Sequence, residues 1–181
     1  MYFAMDNLIE LRNDFEVLKD IEWFDKMCDT LRTDQIPTVN SMIKILGEEE
    51  PNPHHYTRGS KFLCPFDNRF ANIFINPDIT ELDPDNSISY LGFYGKGFNL
   101  IASEIVARFP SYRKQINIYD GGTQFFFYPV PKVFAFSALS FDTNLDLDEI
   151  DNDLEVGFNR VSFMFGNILV KGLDGFHMKS K

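Results

Sequence analysis

Seven carboxylates stand close together in the last third of the chain: Asp142, Asp146, Asp148, Glu149, Asp151, Asp153 and Glu155. No Lys or Arg occurs from Val133 to Asn159. Such a run can bind calcium, attract a cationic surface, or simply stay solvated. A calcium loop of the EF-hand type needs a glycine at its sixth position and a glutamate at its twelfth. Counted from Asp146, those positions hold Asp151 and Gly157, so the calcium pattern fails. What remains is electrostatic. Seven like charges with no local cation repel one another, and a basic partner would relieve that repulsion and associate faster through long-range attraction. The run contains four apolar residues, Leu145, Leu147, Ile150 and Leu154, so most of it is expected to face solvent. A solvated loop without a partner is the plainer alternative.

A second constellation joins Gly92, Gly95 and Gly97 to Asp120. The glycines precede an expected helix, and Asp120 ends the next expected strand. In nucleotide-binding units, glycines let the backbone approach a phosphate at a helix N-terminus, and an acid takes a ribose hydroxyl. Here the order is G-x-x-G-x-G instead of G-x-G-x-x-G, and Lys96 is followed by Gly97, which excludes a Walker-type G-K-[ST]. A small-molecule or nucleotide-dependent enzyme built on the Gly92–Gly97 turn and Asp120 is therefore the second hypothesis. The plainer account is a strand-to-helix turn followed by a hairpin.

The remaining reactive side chains are sparse. His54 and His55 are adjacent and point in different directions on any regular backbone, and His177 stands alone. Neither HExxH nor a zinc-like Cys/His spacing occurs, so no metal is expected. Cys28 falls on an apolar helical stripe, where packing explains it. Cys64 precedes Pro65, and catalysis by it would need a histidine brought close in space. Two buried free thiols are expected. No catalytic residue and no cofactor is assigned.

The elements that must carry these residues can be laid out from periodicity. Leu8, Leu11, Phe15 and Leu18 are spaced three, four, three, and so are Ile21, Phe24, Cys28 and Leu31. The second set starts one residue early, so the stripe over 6–34 slips, and a helix with a break or bend near 19–21 is expected. Phe15, Leu18, Phe24 and Leu31 should be buried. Pro37 opens a short helix, Thr38–Leu46, that Gly47 ends. Residues 47–59, with three glutamates and two prolines, have the chemistry of a loop. Strands are expected at Phe70–Ile75 and Ser87–Tyr94, and a helix at Phe98–Phe109, which Pro110 stops. Gln115–Tyr119 and Thr123–Tyr128 flank Asp120-Gly121-Gly122, a hairpin signature. Lys132–Phe141, Phe158–Phe165 and Asn167–Leu173 complete the strands, the first of them buried on both faces.

Helices first and strands afterwards make an α+β fold, with N-terminal helices packed on a largely antiparallel sheet. A single domain is expected over residues 1–181, with a helical third at 6–46 and a strand-rich remainder at 60–175. The 181 residues are 44% hydrophobic and 24% charged, ordinary values for a globular domain. No uncharged stretch approaches the roughly 20 residues of a spanning helix. No basic-then-apolar leader is visible at Met1–Asp6, so a cytoplasmic location is expected.

The balance of 17 basic against 27 acidic residues, net −10, argues against nucleic acid as a partner, because phosphate binding needs a basic face. Twenty Phe among the aromatics fit either an aromatic core or interface anchors. Together these features point to a non-catalytic binding protein that neutralises a basic protein. In profile only, the chain resembles cytoplasmic bacterial immunity proteins, which are small, acidic inhibitors of nuclease-like toxins. That resemblance implies a basic toxin domain as the partner.

Overall fold

The apolar stripe breaks where its spacing slips. The computed structural model describes residues 12–31, 38–51, 60–77, 87–96, 98–109, 112–116, 123–130, 134–140, 157–158 and 160–165, the side chains of 112–116, 123–130, 134–140 and Met164 excepted. Residues 12–17 form α1, residues 18 and 19 leave the helical path, and α2 runs Asp20–Leu31. The interruption thus begins one residue ahead of the expected 19–21. The restart is locally encoded. Glu22 Oε2 accepts from the Lys19 backbone N–H at 3.0 Å, and Trp23 N–H donates to the Lys19 carbonyl at 2.7 Å. Asp20 and Glu22 in the first turn also suit the positive end of the helix dipole. Phe15, Phe24 and Leu31 are buried as expected, while Leu18 is half-buried against the same core.

Arg69 holds the break in place. It lies between two strands, yet its guanidinium donates to the carbonyls of Phe15 at 2.5 Å and Leu18 at 2.7 Å. Those are carbonyls at the end of α1 that have no helical partner of their own. The same guanidinium pairs with Asp67 at 2.5 Å and with Asp20 at 3.2 Å. Asp20 in turn accepts from the Asn99 backbone N–H at 2.9 Å. Burial works to lower the Arg69 pKa, but the two carboxylates outweigh it and leave it raised.

The next helix, α3 (Val39–Leu46), starts at Thr38 through a reciprocal cap. Thr38 Oγ1 accepts from the Ser41 N–H, and Ser41 Oγ accepts from the Thr38 N–H, each at 3.2 Å. Gly47 ends the helix in extended backbone and opens β1 (Gly47–Glu49) directly. A Cβ at this position would run into the Cys64 carbonyl, so only glycine lets the two strands approach so closely.

The strands that follow are β2 (Lys61–Pro65), β3 (Phe70–Pro77), β4 (Ile88–Gly95) and β5 (Leu100–Ile101). After α4 (Ala102–Arg108) come β6 (Tyr112–Ile116), β7 (Thr123–Val130), β8 (Phe134–Ser140), β9 (Gly157–Phe158) and β10 (Arg160–Phe165). Eight of them form one sheet in the order β1-β2-β3-β4-β10-β8-β7-β6, with every described pairing antiparallel. The fold is α+β, as expected. No described helix is long and apolar enough to cross a membrane.

Alternation along the strands sorts the two faces. Ile73, Ile75, Leu91, Phe93, Val161, Phe163 and Phe165 are buried on the face that the helices cover. A register shift between Phe70 and Asn72 restores parity, so Phe70 also reaches that face. Trp23 sits among Phe70, Phe93 and Phe98, with ring centroids 4.9–5.1 Å apart. Phe24 packs edge-on against Phe109 and stacks on Phe163. Each such ring pair adds about 0.5–1.5 kcal/mol beyond the area it buries. Among the described residues, much of the phenylalanine excess is therefore core.

Four expectations need correction. The stretch 47–59, expected as loop, begins with β1, because Gly47–Glu49 pairs with Leu63–Pro65. The helix expected over Phe98–Phe109 is shorter, because Leu100 and Ile101 are drawn into a ladder with Gly157 and Phe158. Cys64 is exposed, because it alternates with the buried Leu63 on β2; Cys28 is buried, and neither is in a disulfide. The hairpin strands pair antiparallel as expected, but the first is Tyr112–Ile116 instead of Gln115–Tyr119, and Ile116 instead of Tyr119 stands opposite Thr123. Its turn, including Asp120, Gly121 and Gly122, and the strand expected at 167–173 lie outside the described residues.

Candidate functional site

The seven carboxylates Asp142, Asp146, Asp148, Glu149, Asp151, Asp153 and Glu155 lie outside the described residues, but residues on both sides of the run are described. The chain leaves the sheet at Ser140, the end of β8. The next described residue is Gly157, which pairs with Ile101 in a separate two-stranded ladder, and Arg160 then sits opposite Leu139 of β8. The described residues that flank the run, Ser140 and Arg160, thus lie at one end of the sheet. A Cβ at Gly157 would meet the side-chain amide of Asn99, an exposed residue.

The described surface has the same sign. Among the described residues, Asp14, Glu16, Glu22, Asp29, Glu48, Glu49, Glu50 and Glu104 are exposed, against Lys19, Lys44, Lys96 and Arg108. Eight exposed carboxylates to four exposed cations keep the negative balance at the surface. Some of these acids are partnered: Glu49 with Lys61, Asp14 with Lys26 at 3.4 Å, and Glu16 with Arg12 at 3.4 Å.

Two of the three glycines of the second constellation lie within a strand. Gly92 is buried in the middle of β4, opposite Phe74 on one side and Ser162 on the other. Gly95 still belongs to β4 and faces Phe70. Neither can wrap an anion while held in a ladder. The following helix has only seven residues, and its cap, Ile101, offers no side-chain acceptor. Gly97, Asp120, His54, His55 and His177 lie outside the described residues.

One polar constellation was not foreseen. On the sheet face away from the helices, the Tyr90 hydroxyl and Ser162 Oγ are 2.6 Å apart. Beside them, the Arg160 guanidinium donates to the Tyr94 hydroxyl and lies 4.0 Å from that ring's centroid. Burial pushes the Tyr90 phenol above its ordinary value, and Tyr94 adds to the rise; the Ser162 hydrogen bond and the Arg160 charge offset part of it. Tyr90 therefore stays protonated at neutral pH, and the cluster clamps β4 to β10. Phe74 and Phe62 extend the aromatic row, with centroids 5.9 Å from Tyr90 to Phe74 and 4.8 Å from Phe74 to Phe62. The period-two spacing of Tyr90, Gly92 and Tyr94 was visible in the sequence. The pairing of β4 with β10, which brings together Tyr90 and Ser162 from 72 positions apart, was not.

A cavity of about 10 Å³, at the lower limit for one water molecule, lies between α1 and the sheet beside Phe15, Trp23, Phe66 and Phe93. Among the described residues, no group of three His, Cys, Asp or Glu side chains is placed to hold a metal ion. Comparison with family models, curated proteins and solved structures finds no match.

Proposed function

We propose that this protein is a non-catalytic binding protein that neutralises a basic protein partner, most concretely a cytoplasmic bacterial immunity protein that inhibits a nuclease-like toxin. The carrying observation is the run of seven carboxylates from Asp142 to Glu155, uninterrupted by any cation, in a chain of net charge −10. Support comes from the excess of carboxylates on the described surface. A nuclease toxin carries a basic face for phosphate, and an acidic inhibitor can occupy that face.

The test is capture from the native cell at low and high salt, followed by binding kinetics with the recovered partner. Charges at an interface rim act chiefly on association rate. Asp146→Lys, Asp148→Lys and Asp151→Lys together should slow association and flatten its salt dependence, with unfolding unchanged. Equal rates and equal salt slopes for variant and wild type would leave the run a solvated loop.

A further inference from the structure

We draw no further inference here: the strongest candidate, the sheet face turned away from the helices, where Phe62, Phe74, Tyr90 and Tyr94 line up beside Arg160, carries nothing because nothing in the structure shows what covers it.

Discussion

Replacing Arg69 with alanine tests whether one side chain secures the α1–α2 break. The substitution removes donors from the Phe15 and Leu18 carbonyls and leaves Asp67 and Asp20 without their cation. Breaking a fully buried ion pair costs about 3–5 kcal/mol. Here the Arg69 and Asp67 side chains are 18% and 14% exposed and Asp20 is 27% exposed, so water recovers part of the loss. An expected cost of ~2–3 kcal/mol results. For a chain of this size that lowers Tm by roughly 5–10 °C. The assay is urea unfolding followed by the emission of Trp23, the chain's one tryptophan, whose ring centroid lies 5.9 Å from the Arg69 guanidinium. Arg69→Lys should fall between, because an ammonium keeps the charge but cannot fork to carbonyls and carboxylates together. Arg108→Ala is the control: its pair with Asp25 at 2.8 Å is exposed, and its loss should stay within ~0.5 kcal/mol. An Arg69→Ala midpoint equal to that of Arg108→Ala would refute the latch and leave α1 seated by its other contacts, Phe15 in the core and the Asp14–Lys26 pair among them.

Tyr90→Phe should cost about 1 kcal/mol at neutral pH through the lost Ser162 hydrogen bond. The folded phenol's pKa is raised above 10.0, so above that pH the unfolded chain releases a proton that the folded chain retains, and stability falls as pH rises. Urea unfolding at pH ~8 and ~10.5 should show a smaller decline in Tyr90→Phe than in wild type, and equal declines would contradict the shift. Gly92→Ala puts a Cβ 2.9 Å from Tyr90 Cε1 and should cost ~1–2 kcal/mol. That cost should shrink in a Tyr90→Ala background; strict additivity would place the strain elsewhere. A thiol-reactive dye should modify Cys64 in the native protein and reach Cys28 only after unfolding. Reaction of both thiols under native conditions would argue against a closed helix–sheet core.

The helical part of the fold was legible because its signals are local. The slip between Leu18 and Ile21 marked the break, and Glu22 three residues after Lys19 supplied the restart. The strands Phe70–Pro77 and Ile88–Gly95 were legible from composition and alternation. What escaped depends on partners distant in the chain. Gly47–Glu49 has no strand-like composition; it is a strand because α3 delivers it beside β2. Ile101 shares a helical face with Phe98, Ile105 and Phe109 in the sequence, yet Leu100 and Ile101 pair with Phe158 and Gly157 more than fifty residues away. Nothing local marks Arg69, because the carbonyls it reaches lie 51 and 54 residues earlier in the chain.

Charge differs from geometry in this respect. A run of like charges creates its potential wherever the backbone takes it, so the acidic stretch is legible without coordinates, whereas the Tyr90–Ser162 clamp exists only once β4 and β10 pair. The same property makes position the decisive question, since any three acid-to-lysine changes move the net charge from −10 to −4. At physiological ionic strength, screening limits each charge to about 8 Å. Carboxylates away from the contact should then contribute little to association. Glu48→Lys, Glu50→Lys and Glu104→Lys together make the matched comparison, with the same net change placed on β1, just beyond it, and on α4. If the run docks the partner, this variant should associate at a rate close to wild type at ~0.15 M salt, while the Asp146, Asp148 and Asp151 variant is slowed. Equal slowing of both would assign the attraction to net charge and remove the run as a site.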